Sequence, residues 1–194
     1  MQSLVFEIIV TLLLGDEAGV NIAYLSRLFR AWTAGIATLP LDLPFTTYHR
    51  ALNAKSELLA AIDAIVAERR RLPEQPNDIL GSLLSVHDEE GKPLKQEAIV
   101  HELHNQLFAG HDTTVTVMTN LMLQLAQHPA VLARARAEVQ EAGLAGTLDL
   151  EHIKQLPYLE AVLHESMRYL APVAGTFRSM LCDMEYKGYR IPRG

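Results

Sequence analysis

From Lys95 to Gln127 nothing interrupts a helical pattern, and His128-Pro129 then stops it. About 33 residues rising 1.5 Å each make a rod of roughly 50 Å, far longer than the usual helix of a globular chain. Such a helix crosses a whole domain. Within it, the apolar stretch Leu103–Leu125 is interrupted by Gln106, His111, Asp112 and four threonines. A buried core helix accounts for those polar residues better than a membrane span does. The other long apolar run, Leu4–Leu14, contains Glu7 and is too short to cross a bilayer.

Further helical patterns flank the central rod. Leu4–Leu14 ends at Gly15, Val20–Trp32 follows, and Thr46–Leu72 carries apolar residues at spacings of three and four before Pro73. Its cationic end, Arg69-Arg70-Arg71, suits a helix C-terminus and reads as a solvated surface. Asp78–Val86 reads as a short helix capped by Asn77. Ala130–Ala142 starts behind Pro129, and Leu156–Leu170 is helical again. The prolines of Leu39–Pro44 predict an extended connector. Its apolar side chains suit a ligand, a membrane surface or a packed loop equally. Segments 87–93 and 143–150 read as a turn and a loop. Short strands are expected at Phe177–Leu181, Met184–Tyr186 and Tyr189–Ile191, with Lys187-Gly188 as a two-residue hairpin turn. The chain is therefore mainly α, with a small sheet beginning at its C-terminal end.

Composition narrows the function classes. With 49% apolar residues in 194, the chain can bury a sizeable core. A net charge of −6 and no basic run longer than Arg69–Arg71 argue against nucleic acid as a partner. One cysteine, Cys182, excludes an internal disulfide framework and fits a reducing compartment. Met1-Gln2-Ser3 offers no basic leader to a signal peptide. The expected location is the cytoplasm, with a peripheral membrane contact as a variant of it. Met1 falls directly before an apolar helical run, so the natural domain is expected to start earlier.

The middle of the rod reads Phe108-Ala109-Gly110-His111-Asp112-Thr113-Thr114-Val115-Thr116. This is poor helix material: glycine alone costs about 1 kcal/mol against alanine. A local rule broken inside a strong element marks a candidate site. Ala109 and Gly110 lack bulk, so a flat ligand could lie against the backbone. A threonine hydroxyl can bond the carbonyl one turn back and loosen the helix there. Asp112 beside that hydroxyl would complete a proton relay toward a bound oxygen species. On spacing alone, a buried helix with internally satisfied hydroxyls explains the same residues equally well. The second candidate is Glu165-Ser166-Met167-Arg168, whose acid and base share one helical face. Its setting in the apolar run Leu159–Leu170 would make it costly if buried without further partners. His101 and His104 are three apart, not the four that a zinc-protease helix requires. A helical metalloenzyme using them is the weakest of the readings. His111 is expected to point away from the arc defined by Ala109, Asp112 and Thr113, because a helix turns about 100° per residue.

Ala109–Thr114, AGHDTT, resembles the oxygen-binding motif in the central helix of cytochromes P-450, a family of haem-thiolate monooxygenases. Glu165–Arg168, ESMR, resembles that family's Glu-x-x-Arg motif at its usual distance from the first. Gln127-His128-Pro129, the run LPYLEAVLHESMRYLAPV, and Phe177-Arg178 followed by Gly188–Gly194 resemble the surrounding pattern. The resemblance covers nearly the whole chain and is weakest before residue 75. Within the family, PVAGTFRSML and LPLDLPFTTYHRAL are most similar to the retinoic-acid hydroxylases and their cyanobacterial relatives.

The resemblance implies a single P-450 domain, partial and truncated at both ends, that uses haem. Asp112 and Thr113 resemble the acid–alcohol pair that delivers protons for O–O cleavage. Ala109 and Gly110 resemble residues facing the distal haem surface, and Arg178 an arginine that binds a haem propionate. The plain alternative for Arg178 is a surface charge on an edge strand. Glu165 and Arg168 resemble a pair that organises the haem-binding core, and Val173, Ala174 and Thr176 a substrate-lining segment. The implied partners are an apolar retinoid-, sterol- or terpenoid-like substrate, O2 and a ferredoxin- or reductase-type electron donor. The family's axial cysteine is expected downstream of Gly194, since no Gly-rich loop surrounds Cys182. Without it, residues 1–194 alone are expected to be inactive. The competing reading is a non-catalytic helical relative that offers at most an interaction surface.

Overall fold

The computed structural model describes residues 1–15, 20–87, 89–143, 150–173, 175–176 and 178–194. Its helices are α1 (Gln2–Leu14), α2 (Ile22–Thr33), α3 (Thr47–Arg69), α4 (Ile79–Ser85), α5 (Gln96–Gln127), α6 (Pro129–Glu141), α7 (Leu150–Ile153) and α8 (Pro157–Tyr169). Strands β1 (Met184–Tyr186) and β2 (Tyr189–Ile191) follow. The chain divides into two compact units, residues 1–119 and 120–194, with the boundary inside α5. No described helix is long and apolar enough to cross a membrane.

In the first unit, α3 supplies a stripe at Ala54, Leu58, Ile62 and Val66, spaced by four as one helical face demands. Against it pack Phe6 and Val10 of α1, Leu25 and Phe29 of α2, and Ile99 and Leu103 of α5. Truncating any of the leucine, isoleucine or phenylalanine side chains among these to alanine costs about 2–5 kcal/mol in a close-packed core. The connector between α2 and α3 is held by Thr46, whose hydroxyl donates to the carbonyls of Leu41 and Leu43 while accepting from the His49 N–H. Of the three surroundings open to Leu39, Leu41, Leu43 and Phe45, the packed loop does not occur: all four side chains are exposed.

Two expectations for this region fail together. Arg69 is not a solvated helix end but is 3% exposed. Its guanidinium forks onto both carboxylate oxygens of Asp78 at 2.8 and 2.9 Å and donates to the Leu14 carbonyl at 2.8 Å. Asp78, not Asn77, is the N-cap of α4, accepting from the Gly81 N–H at 2.7 Å. One arginine thus satisfies an orphan carbonyl at the end of α1 and orients the cap of α4. Gly15 sits over this clasp at φ 79°, where a Cβ would lie 2.6 Å from Asp78 Oδ2. Sequence spacing cannot reveal a salt bridge formed by a fold-back across Pro73 and Pro76.

In the second unit, Glu138 of α6 accepts the first free N–H groups of α8, from Tyr158 and Leu159, at 2.7 and 2.8 Å. The pairing favours a negative charge at a helix start. Arg134 stacks 4.0 Å over the Tyr158 ring. The hairpin forms as expected, Met184 opposite Ile191, with Lys187 and Gly188 both at positive φ as a type I′ turn requires. The strand expected at Phe177–Leu181 does not form: Phe177 lies outside the described residues and 178–181 hold no strand. Among the described residues no third strand is available to pair with it, and Leu181 is 88% exposed. The loop expected over 143–150 is described only at Gly143 and at Leu150, which opens the short helix α7.

Two outcomes follow. Asp78→Ala removes the carboxylate from a buried guanidinium and the cap from α4, and is expected to destabilise the first unit by about 2–4 kcal/mol in chemical denaturation; a loss under 1 kcal/mol would contradict the clasp. His104 is buried against Trp32, ring centroids 4.2 Å apart. Burial, then the charges of Lys55 and His101, push its imidazole below the ordinary value. The unfolded chain therefore binds the proton more readily. The resulting stability is present above pH 6.5 and is lost as pH falls toward the depressed folded value. Fluorescence of Trp32, the single tryptophan, should report this acid loss in the wild type and not in His104→Leu.

Candidate functional site

The central turn of α5 presents two faces. On one, Ala109, Asp112, Thr113 and Thr116 follow the i, i+3, i+4, i+7 spacing that aligns side chains along a helix. Ala109 is exposed, the Asp112 side chain is 50% exposed, and Thr113 and Thr116 are half-buried. The Thr113 hydroxyl donates to the Ala109 carbonyl at 2.6 Å, and Thr116 and Thr119 repeat the pattern toward Asp112 and Val115 at 2.8 and 2.7 Å. Each carbonyl so engaged shares its lone pairs between the helix ladder and a hydroxyl, which weakens the ladder locally. The helix nonetheless runs unbroken from Gln96 to Gln127.

The other face is packed. A Cβ on Gly110 would meet Ile9 Cδ1 of α1 at 3.3 Å. The missing side chain at 110 therefore leaves Ile9 its place against α5, a reason for the glycine that sequence alone did not offer. His111 is 4% exposed. Its ring stands edge-on to Phe6 and Phe29, at centroid distances of 5.8 and 4.8 Å. Nε2 lies 3.2 Å from the Gln2 carbonyl and Nδ1 lies 2.8 Å from Asp112 Oδ1. His111 does point away from the Ala109–Thr113 arc, as expected, yet it touches Asp112, which spacing did not foresee. A histidine flanked by small and acidic residues was the available signal. His101 is exposed, 3.9 Å from Glu97, and His104 is buried on Trp32, so the two do not converge.

In the second unit, Arg168 forks onto Glu165, Nε to Oε2 and Nη2 to Oε1, both at 2.7 Å. The pair is exposed, with side chains 63% and 70% accessible. The fork holds the Glu165 carboxyl below the ordinary carboxylate range and raises Arg168. Burial of this pair in the apolar run does not occur in this chain; Ser166 is the residue that turns inward. Val173, Thr176 and Arg178 are exposed, and Ala174 lies outside the described residues. A groove of about 570 Å³ runs beside Leu121, Leu125, Val162 and Tyr169. Within it, Gln124 Nε2 and Ser166 Oγ are buried and have no hydrogen-bond partner among the described residues. Cys182 is exposed.

Comparison with known proteins identifies the class. The sequence profile of the Cytochrome P450 family matches residues 3–194. The chain is 31% identical over 194 residues to the putative cytochrome P450 120 of Synechocystis sp., covering 100% of this chain and 44% of that one. It is 34% identical over 205 residues to ent-kaurenoic acid oxidase 1 of Arabidopsis thaliana, covering 100% and 42%. Its fold superposes on retinoic acid bound cyanobacterial CYP120A1 with a TM-score of 0.90, at 31% identity, covering 100% of this chain and 44% of that one. The chain belongs to the cytochrome P450 family and has that family's fold, with haem as the family's cofactor. It spans less than half the length of these relatives.

Glu165→Gln is expected to leave the thermal midpoint of this chain unchanged in circular-dichroism melts at low and high salt, because an exposed ion pair is screened by water. A fall of several degrees would show that the pair holds the fold together.

Proposed function

We propose that residues 1–194 form part of one domain of a haem-dependent monooxygenase that activates O2 and hydroxylates an apolar substrate. The observation that carries this reading is the open face of α5, where a small residue, a carboxylate and two threonine hydroxyls align while the opposite face is packed. That face suits the broad side of a macrocycle. Ala109 leaves room for it, and Asp112 and Thr113 place a proton donor and a hydroxyl beside it. Gly110 contributes by letting α1 brace the turn rather than through a side chain of its own. Arg178 is assigned to a propionate, and Glu165 with Arg168 to ordering the core around the cofactor. Cys182 is not assigned to the iron, since it is exposed and sits in no Gly-rich loop.

Haem, when bound, supplies the iron that activates dioxygen with electrons from a ferredoxin- or reductase-type donor. The chain's own residues manage protons and access. The half-exposed Asp112 carboxylate exchanges protons with solvent and can hand one to the Thr113 hydroxyl on the same face. Thr113, released from the Ala109 carbonyl, can turn that proton toward the open side. Its back-bonded state keeps the hydroxyl satisfied when it is not needed. Val173, Ala174 and Thr176 are assigned to the substrate side. A retinoid- or terpenoid-like molecule is the substrate class this reading favours. One similar structure holds retinoic acid and one relative is an ent-kaurenoic acid oxidase.

In the full-length, haem-loaded protein supplied with electrons and retinoic acid, Asp112→Asn is expected to lower hydroxylation by about 10²-fold or more, the size of a lost general acid. Thr113→Ala should lower the product formed per electron consumed, with hydrogen peroxide released instead. Hydroxylation at the wild-type rate and yield in both variants would remove the role assigned to this face.

A further inference from the structure

We infer that His111 is a positioning residue for Asp112, holding the carboxylate through a hydrogen bond from Nδ1–H to Oδ1. The inference deepens the proposed proton-handling role of α5 and rests on it for its purpose, but its geometry stands by itself. Both ring nitrogens of His111 face acceptors: the Asp112 carboxylate at 2.8 Å and the Gln2 carbonyl at 3.2 Å. Asp112 Oδ1 is the nearer and the charged acceptor, so the ring proton belongs on Nδ1 and is donated to the carboxylate. Nε2 is then bare, and its 3.2 Å approach to the Gln2 carbonyl is a packing contact.

The surroundings fix the ring in this role. Phe6 and Phe29 close on it edge-to-face and limit rotation, and the side chain is 6% accessible. The Asp112 side chain, by contrast, is half exposed and has alternative rotamers open to it. The contact pins one carboxylate oxygen against the packed side of α5 while the side chain as a whole stays half exposed. His111 therefore acts on the open face without reaching it, and ties the carboxylate to the first turn of α1.

The test is ring-nitrogen NMR of protein labelled with 15N in its histidines, together with Asp112 side-chain couplings. In the wild type, the His111 signals should show a proton on Nδ1 engaged in a hydrogen bond. Asp112→Asn, which removes the charged acceptor, should weaken that bond. His111→Phe keeps an aromatic ring between Phe6 and Phe29. It should remain folded while the Asp112 couplings change from one rotamer to an average of several. His111→Gln, which can still donate to the carboxylate, should restore the single rotamer. A wild-type ring with bare Nδ1, or an Asp112 rotamer unchanged in His111→Phe, would overturn the inference. Because no readout depends on oxygen chemistry, a failed hydroxylation assay would strike the monooxygenase reading and leave this one standing.

Discussion

The packing of α1 side chains on α5 is the contact on which the proposed site depends. It is made where the central helix is locally weakest, at Gly110 and His111. A Cβ on Gly110 would press on Ile9 at 3.3 Å, and Phe6 with Phe29 encloses the His111 ring. Glycine, threonine and aspartate in succession should fray a helix. Tertiary packing on one side compensates, and the other side stays free for side chains chosen for chemistry. The same turn thereby meets a packing demand on one face and leaves the opposite face open for the role proposed for it.

Two ion pairs show how context decides the weight of similar side chains. Arg69–Asp78 is buried, forked and joined to a helix-end carbonyl and a helix cap. Glu165–Arg168 is a two-nitrogen fork, where Arg69 reaches Asp78 through Nη2 alone, but it stands in water. The first is part of what folds this chain. The second has geometry suited to a pair held ready for partners, which accords with the ordering role proposed for it.

Much of the architecture was legible in the sequence, because helix period and proline punctuation are local. The central rod was expected at Lys95–Gln127 and is found at Gln96–Gln127. The hairpin turn at Lys187-Gly188 followed from the need for positive φ at both positions. Arg69 escaped because its partner is reached only by a fold-back through a proline-rich turn. The strand at Phe177–Leu181 was over-read because strand propensity does not supply a pairing neighbour. At the site, the back-bonding of Thr113 to Ala109 was foreseen from the chemistry of threonine in helices. The use of Gly110 by Ile9, and the hold of His111 on Asp112, depend on α1 and were invisible to spacing within α5.

The central claim is directional: the Ala109–Asp112–Thr113 side of α5 meets the cofactor and the Gly110–His111 side does not. Methyl relaxation in ferric haem-loaded protein tests this directly, since the unpaired electrons of the iron broaden nearby protons most. The account predicts the strongest broadening at the Ala109 and Thr113 methyls and little at the Ile9 methyls. Broadening centred on Ile9, or none along α5, would contradict it.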